Sequence, residues 1–201
     1  MMRLRTTISN AYVRVRYPRL APSFAVVSHL TGLDRAELFL LAQRPALRTV
    51  VEIGSYLGAS ALAIAEGLKA AGNQAARVYC IDTWQNEGMS EGPADHMDAF
   101  HRHTAPYESL IVPVRGRSTD VAAKLLAEIG PIDLLFVDGD HSYGGVLADW
   151  RTFGPAMRTH GVAAFHDVAW AEGVQRVVAE EVKPSVRRQG GSLNLWWGEL
   201  R

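Results

Sequence analysis

Ile132-Asp133-Leu134-Leu135-Phe136-Val137-Asp138-Gly139-Asp140-His141 is the stretch that decides the fold of this chain. Five apolar residues among its first six read as a strand buried on both faces, the pattern of a central strand in a parallel sheet. The run then stops at two carboxylates and an imidazole. In open α/β sheets ligands bind in the crevice beyond the carboxyl ends of the strands, so Asp138, Asp140 and His141 stand where chemistry is done. Carboxylates there suit a cation, and the imidazole suits a general base. The competing reading is a polar turn that only caps the next helix. A second strand end of the same kind counts against it, because Gly161-Val162-Ala163-Ala164 runs into Phe165-His166-Asp167.

Working outward, Thr49–Ile53, Val78–Ile81, Leu110–Val114, Ile132–Val137 and Gly161–Phe165 read as strands. Helical patterns occupy 58–72, 118–129, 143–158 and 171–182 between and after them. The alternation predicts an α/β fold, a doubly wound and mostly parallel sheet of about seven strands with helices on both faces. Ser192–Trp197 has strand character and is expected to close the sheet. Val146, Leu147, Trp150 and Phe153 recur at helical spacing, a core-facing stripe. Asp34-Arg35-Ala36-Glu37 reads as a helix start, an acceptor followed by a glutamate three residues on. Residues 1–45 are expected to be an N-terminal arm with helices packed on the core and 46–201 the ligand-binding domain, all within one compact unit.

Lysine plus arginine and aspartate plus glutamate are 21 each, so the net charge is zero and a nucleic-acid partner is not expected. No stretch approaches the roughly 18 apolar residues of a membrane span. Cys80, the single cysteine, lies in an apolar run and fits a buried thiol of a cytoplasmic protein. Residues 1–33 carry Arg3, Arg5, Arg14, Arg16 and Arg19 and no acid. A transit peptide has that look. The alternation Tyr12-Val13-Arg14-Val15-Arg16-Tyr17 favours a structured arm, which either stays solvated with no ligand or covers the sheet, meets an anionic surface or pairs with a second subunit, in line with an expected homo-oligomer.

The first strand feeds Glu52-Ile53-Gly54-Ser55-Tyr56-Leu57-Gly58-Ala59-Ser60. Gly54 and Gly58 permit a tight turn and close approach to a ligand, and the helix after them offers free amides. Glu52 is expected to point a carboxylate into the same place, which favours a ligand with a cationic amine. Neither a G-x-G-x-x-G nor a G-x-x-x-x-G-K pattern is present. Asp82 ends the second strand, where a carboxylate can accept from both hydroxyls of a ribose, with Thr83 and the flat face of Trp84 beside it. Ser118 is an N-cap candidate at the third strand-end loop.

These residues together resemble a class I S-adenosylmethionine-dependent methyltransferase with a Rossmann-like sheet. The closer likeness is to the metal-dependent O-methyltransferases of catechols and sugars, including the group labelled cephalosporin hydroxylase. V-D-G-D-H-S-Y joined to F-H-D carries that likeness. It implies that Glu52, Gly54, Ser55, Gly58, Ser60, Asp82, Thr83, Trp84, Ser118 and Asp138 bind S-adenosylmethionine. It further implies that Asp138, His166 and Asp167 hold a divalent metal, magnesium first and manganese next, and that His141 is the base. The expected substrate is a small-molecule hydroxyl acceptor, a carbohydrate foremost, because vicinal hydroxyls chelate an ion. A catechol-type phenol, a nicotinamide-dependent oxidoreductase and a non-catalytic cofactor-binding protein are the alternatives.

His166 departs from the pattern, since that position usually holds a carboxylate or its amide. Imidazole suits softer ions than magnesium. His166 then orients a coordinated water, or the ion is another, or Asp140 supplies the oxygen, or no metal binds and His166 does acid–base work. Gln85–Tyr107 reads as a polar lid, in which His96, His101 and His103 with Asp95 and Asp98 form either a second metal site or a solvated helix face. His29, His160, Trp150, Trp170, Trp196 and Trp197 read as structural, with a sugar-stacking role the other option for the last pair.

Overall fold

The run Ile132–Val137 forms β4, and β1 (Thr49–Ile53) and β5 (Met157–His166) lie parallel on either side of it. The computed structural model describes residues 2–85 and 94–201. With β2 (Arg77–Asp82), β3 (Ile111–Arg115), β6 (Val186–Gly191) and β7 (Leu195–Leu200), the sheet has the order β3-β2-β1-β4-β5-β7-β6. β7 runs antiparallel to both β5 and β6, and every other pairing is parallel.

Every residue of β1 and β4 is buried, which is why both read as mostly apolar runs rather than alternating ones. Successive side chains still point to opposite faces. Val50, Leu134 and Phe136 join one core, with Leu38 of α3 (Gly32–Leu41) and Leu62 and Ile64 of α4 (Ala59–Ala70). Val51, Leu135 and Val137 join the other, with Leu125 of α6 (Ser118–Glu128), Val146 and Phe153 of α7 (Tyr143–Phe153), and Val174 and Val177 of α8 (Glu172–Val177). The polar exception on β4, Asp133, accepts hydrogen bonds from Arg48 N at 2.7 Å and Thr49 N at 2.9 Å, tying the start of β4 to that of β1.

The N-terminal segment is helical. α1 (Met2–Arg16) leads through a turn to α2 (Ala21–Phe24), and Val13 and Leu20 enter the first core. The alternation in Tyr12–Tyr17 lies within this helix: Val13 is buried while Val15 is 84% exposed, and the guanidinium of Arg14 lies 4.2 Å from the Phe24 ring centroid. The cap of α3 is shifted too. Thr31 is its N-cap and Asp34 its third residue, a reciprocal capping box, because Thr31 Oγ1 accepts from the Asp34 amide. The seventh strand, β6, has one apolar residue in Val186-Arg187-Arg188-Gln189-Gly190-Gly191. Its hairpin with β7, not its composition, makes it a strand, and as a sheet edge it is polar. No helix among the described residues is long and apolar enough to cross a membrane.

Candidate active site

From β1 the chain winds outward to β2 and β3, and from β4 it winds the other way to β5, so the order reverses between β1 and β4. Asp138 N donates to Ile53 O at 2.8 Å and Gly54 N to Ile81 O at 2.9 Å, carrying the ladders one residue past the strands. Gly54 sits at φ +86°, and a Cβ there would lie 2.2 Å from the Asp138 carbonyl oxygen. The two loops thus touch backbone on backbone, which only glycine permits. Over this junction opens a cleft of about 1070 Å³, with Gly54, Ser55, Ser60, Asp82, Thr83, Ser118, Asp138 and His141 among its walls. That is the crevice position of doubly wound sheets.

Asp82 organises one half. Its Oδ2 accepts from Tyr56 N at 2.7 Å and its Oδ1 from Trp84 N at 2.7 Å, which locks the turn after β1 to the end of β2. Each oxygen keeps a lone pair for hydroxyl donors. Trp84 borders the cleft but is 1% exposed: its Nε1 donates to Tyr56 O at 2.8 Å and its ring packs on Phe100, so it supports the wall and offers little face. Gly58, at φ +93°, is the N-cap of α4. Ser118 is the first residue of α6, not its cap, and its hydroxyl donates to buried Asp149, whose pKa burial pushes up to about 6. Glu52 lies under the loop, fully buried, rather than on the cleft wall. Its Oε2 accepts from Ser55 Oγ at 2.9 Å and Cys80 Sγ at 3.1 Å, and burial, opposed by hydrogen bonds from Ser60, Cys80 and Ser55, raises its pKa to about 7.

The other half is a chain of carboxylates and imidazoles. His141 Nε2 lies 2.8 Å from Asp167 Oδ2, and its ring packs 4.9 Å from Trp170, which is 62% exposed. His166 Nδ1 lies 3.0 Å from Asp138 Oδ1 and 3.2 Å from Asp167 Oδ1. On its far side, His166 Nε2 meets Asp34 Oδ2 at 3.4 Å and Asn194 Nδ2 at 3.1 Å. Burial alone would lower the His166 pKa, but Asp138, Asp167 and Asp34 outweigh it and lift it to about 12. Burial would likewise raise Asp167, yet its bonds to His141 and His166 bring it well below the usual carboxylate range. The hydrogen bond to Asp167 raises the His141 pKa against opposing burial.

Asp138, His141 and Asp167 each offer a ligand atom within 4.8 Å of the others, the one such group among the described residues. The donor set does not fit the expected ion, however. A ring nitrogen facing two carboxylates carries a hydrogen there, so His166 Nδ1 has no lone pair to give. Asp167 Oδ1 also accepts from Trp170 Nε1 at 2.7 Å and Asn194 Nδ2 at 2.9 Å, leaving that oxygen saturated. An ion at the cluster would take His141 as a ligand, a nitrogen donor that magnesium avoids. The histidines after β2 do not form a second cluster: His103 Nδ1 bonds Leu57 O at 2.9 Å, Asp95 pairs with Arg115 at 2.6 Å, and His96 stands edge-on to Tyr56. Residues 86–93 of the expected lid lie outside the described residues.

Sequence reasoning passed over four residues here. Asp34 is visible in the sequence only as a helix-start acid, and Asn194 only as part of a terminal strand. His29 lines the cleft instead of the core, and Trp170 stands beside His141. Trp170 alone left a signal, an aromatic three residues after Asp167. Trp196 and Trp197 instead donate to Gln189 and Glu37 on the sheet's far side strands and α3.

A family model described as a methyltransferase domain matches residues 51–168. The uncharacterized protein y4gI of Sinorhizobium fredii is 31% identical over 168 residues, 79% of this chain. The chain spans 18% of the length of that relative. Among solved structures it is similar to an O-methyltransferase from Bacillus cereus in complex with SAH, with a TM-score of 0.75, 18% identity and full coverage of both chains. It is also similar to CalS11, a TDP-rhamnose 3'-O-methyltransferase of calicheamicin biosynthesis, with a TM-score of 0.63 and 16% identity over 83% of this chain and 78% of that one. At these identities the structural likenesses speak to the fold.

Proposed function

Since the chain belongs to the methyltransferase-domain family, matched over residues 51–168, we propose that it is an S-adenosylmethionine-dependent O-methyltransferase. It acts on a hydroxyl of a small molecule, a carbohydrate foremost, with His141 as general base. The observation that carries this reading is the convergence of the Gly54 turn, the Asp82 carboxylate and the His141–Asp167 pair on one cleft at the sheet's switch point.

The cofactor supplies an electrophilic methyl group on a sulfonium. Asp82 is placed to accept from ribose hydroxyls, and the amides at the start of α4 suit a carboxylate. Ser118 and Asp149 offer polar partners at the β3 edge of the cleft. An alcohol is a weak nucleophile until its proton leaves, and it must lie on the axis of displacement. Asp167 serves that proton transfer by orientation. It holds the hydrogen of His141 on Nε2, so Nδ1 keeps the lone pair that takes the hydroxyl proton, and it stabilises the imidazolium that results. The exposed Trp170 ring beside His141 gives a sugar or phenol a flat wall to rest on.

Calorimetric titration with S-adenosylmethionine, its demethylated product and NADH tests the reading first. Binding of the first two and not the third is expected. NADH binding without either would overturn it. A labelled-methyl transfer screen over sugars, catechols and glycosides then identifies the acceptor class.

A further inference from the structure

The position between Asp138 and Asp167 is filled from within the fold. His166 reaches it from the end of β5 with a side chain that is 1% exposed. Its Nδ1–H bridges one oxygen of each aspartate, at 3.0 and 3.2 Å. The ring is backed on the far side by Asn194 and by Asp34, which is itself fully buried. Asp34 is held in turn by Thr31 N at 2.8 Å, by Thr31 Oγ1 at 2.7 Å and by the Ser192 hydroxyl. Three segments remote in sequence, with the neighbouring Asp167, thus converge to fix one imidazole.

We propose that the His166 N–H takes the place of a divalent ion between Asp138 and Asp167, so that this chain assembles its site without a metal. The inference deepens the proposed function, because it concerns the same cleft. Two neighbouring buried carboxylates repel unless a positive group lies between them. An ion does this in an oxygen-rich site, and here a hydrogen bonded to a ring nitrogen does it. The bridge also fixes Asp167, and Asp167 fixes His141. His166 and Asp34 are therefore positioning residues, acting on the base through Asp167. Asp34 brings α3, in the N-terminal third of the chain, into the site, 132 positions from its partner.

Manganese titration of the chelator-treated full chain, followed by the paramagnetic signal of the free ion, tests this. The wild type should bind more weakly than ~1 mM, beyond the weak end of carboxylate cation sites. His166→Asp, which returns an oxygen ligand to the position, should bind at least ~10-fold more tightly. Wild-type binding tighter than ~1 mM that Asp138→Asn abolishes would overturn the proposal. Should His166→Asp not fold, imidazole nitrogen NMR of the wild type decides. A protonated Nδ1 of His166 that about 5 mM magnesium leaves unchanged supports the bridge, and its loss on adding magnesium overturns it. Cofactor titration of the same samples keeps the two readings apart: no binding of the cofactor refutes the methyl-transfer reading and leaves the metal result standing.

Discussion

Gly54→Ala puts the junction between the β1 and β4 loops to the test. Two costs arise. An L-residue in the left-handed region costs roughly 1–2 kcal/mol, and Gly54 sits at φ +86°. The new Cβ would also lie 2.2 Å from Asp138 O, 2.5 Å from its carbonyl carbon and 2.7 Å from Gly139 N. Non-bonded heavy atoms prefer roughly 3.5 Å, so the loops must part by about 1 Å, an overpacking cost of ~1–3 kcal/mol. Gly72→Ala separates the two terms. Gly72 has φ +68° and nothing within 4 Å of its Cβ position, so it carries the conformational cost alone. Urea unfolding should therefore show Gly54→Ala less stable than Gly72→Ala by ~1–3 kcal/mol. Calorimetry should show cofactor binding at least ~10-fold weaker for Gly54→Ala and unchanged for Gly72→Ala, since a shift of about 1 Å at a positioned site is felt strongly. Equal stabilities within ~0.5 kcal/mol, with equal cofactor affinities, would refute the reasoning.

His141→Ala should lower turnover at least ~100-fold while cofactor affinity holds, and unchanged turnover would remove His141 from the chemistry. Because Asp167 raises the His141 pKa from 6.5, activity should climb with pH and reach half its maximum above that value. Asp167→Asn should move the midpoint down, and a flat profile between about pH 6 and 9 would count against His141 as base. Glu52 makes a stability prediction of its own. Its folded pKa of about 7 lies above its ordinary 4.5, so between those values the folded chain keeps a proton the unfolded chain has lost. Stability should then fall by up to ~3 kcal/mol as pH rises through that window, and Glu52→Gln should remove the decline in urea unfolding at several pH values. Parallel pH slopes for variant and wild type would exclude it. Asp133→Ala strands the Arg48 and Thr49 amides and should cost ~2–4 kcal/mol with cofactor affinity intact, and a loss below ~0.5 kcal/mol would show those bonds to be replaceable.

Much of the architecture is readable along the chain, because burial on two faces leaves local marks. β1 and β4 read as strands from mostly apolar runs, and the stripe on α7 does bury Val146 and Phe153. β6 is unreadable because its pairing partner, not its side chains, creates it. α1 was masked by a basic alternation that suits either period over six residues. Within the cleft, Asp82, Asp138 and His141 follow from the ends of readable strands. The fate of Glu52 does not: only packing shows that its carboxylate is capped by Ser55 and Cys80 beneath the turn.

The order of residues by itself determined that strands would end in Gly54, Asp82, Asp138 and His166–Asp167, since a strand's burial and its stopping point are properties of neighbouring residues. Only the tertiary structure decided which lone pairs remain there for chemistry. Hydrogen bonds between groups far apart in sequence use some of them up: Asp34, 132 positions from His166, helps to hold the imidazole whose N–H closes the Asp138–Asp167 pair. Proton ownership at a buried nitrogen depends on every group that surrounds it in space, and no spacing along the chain encodes that.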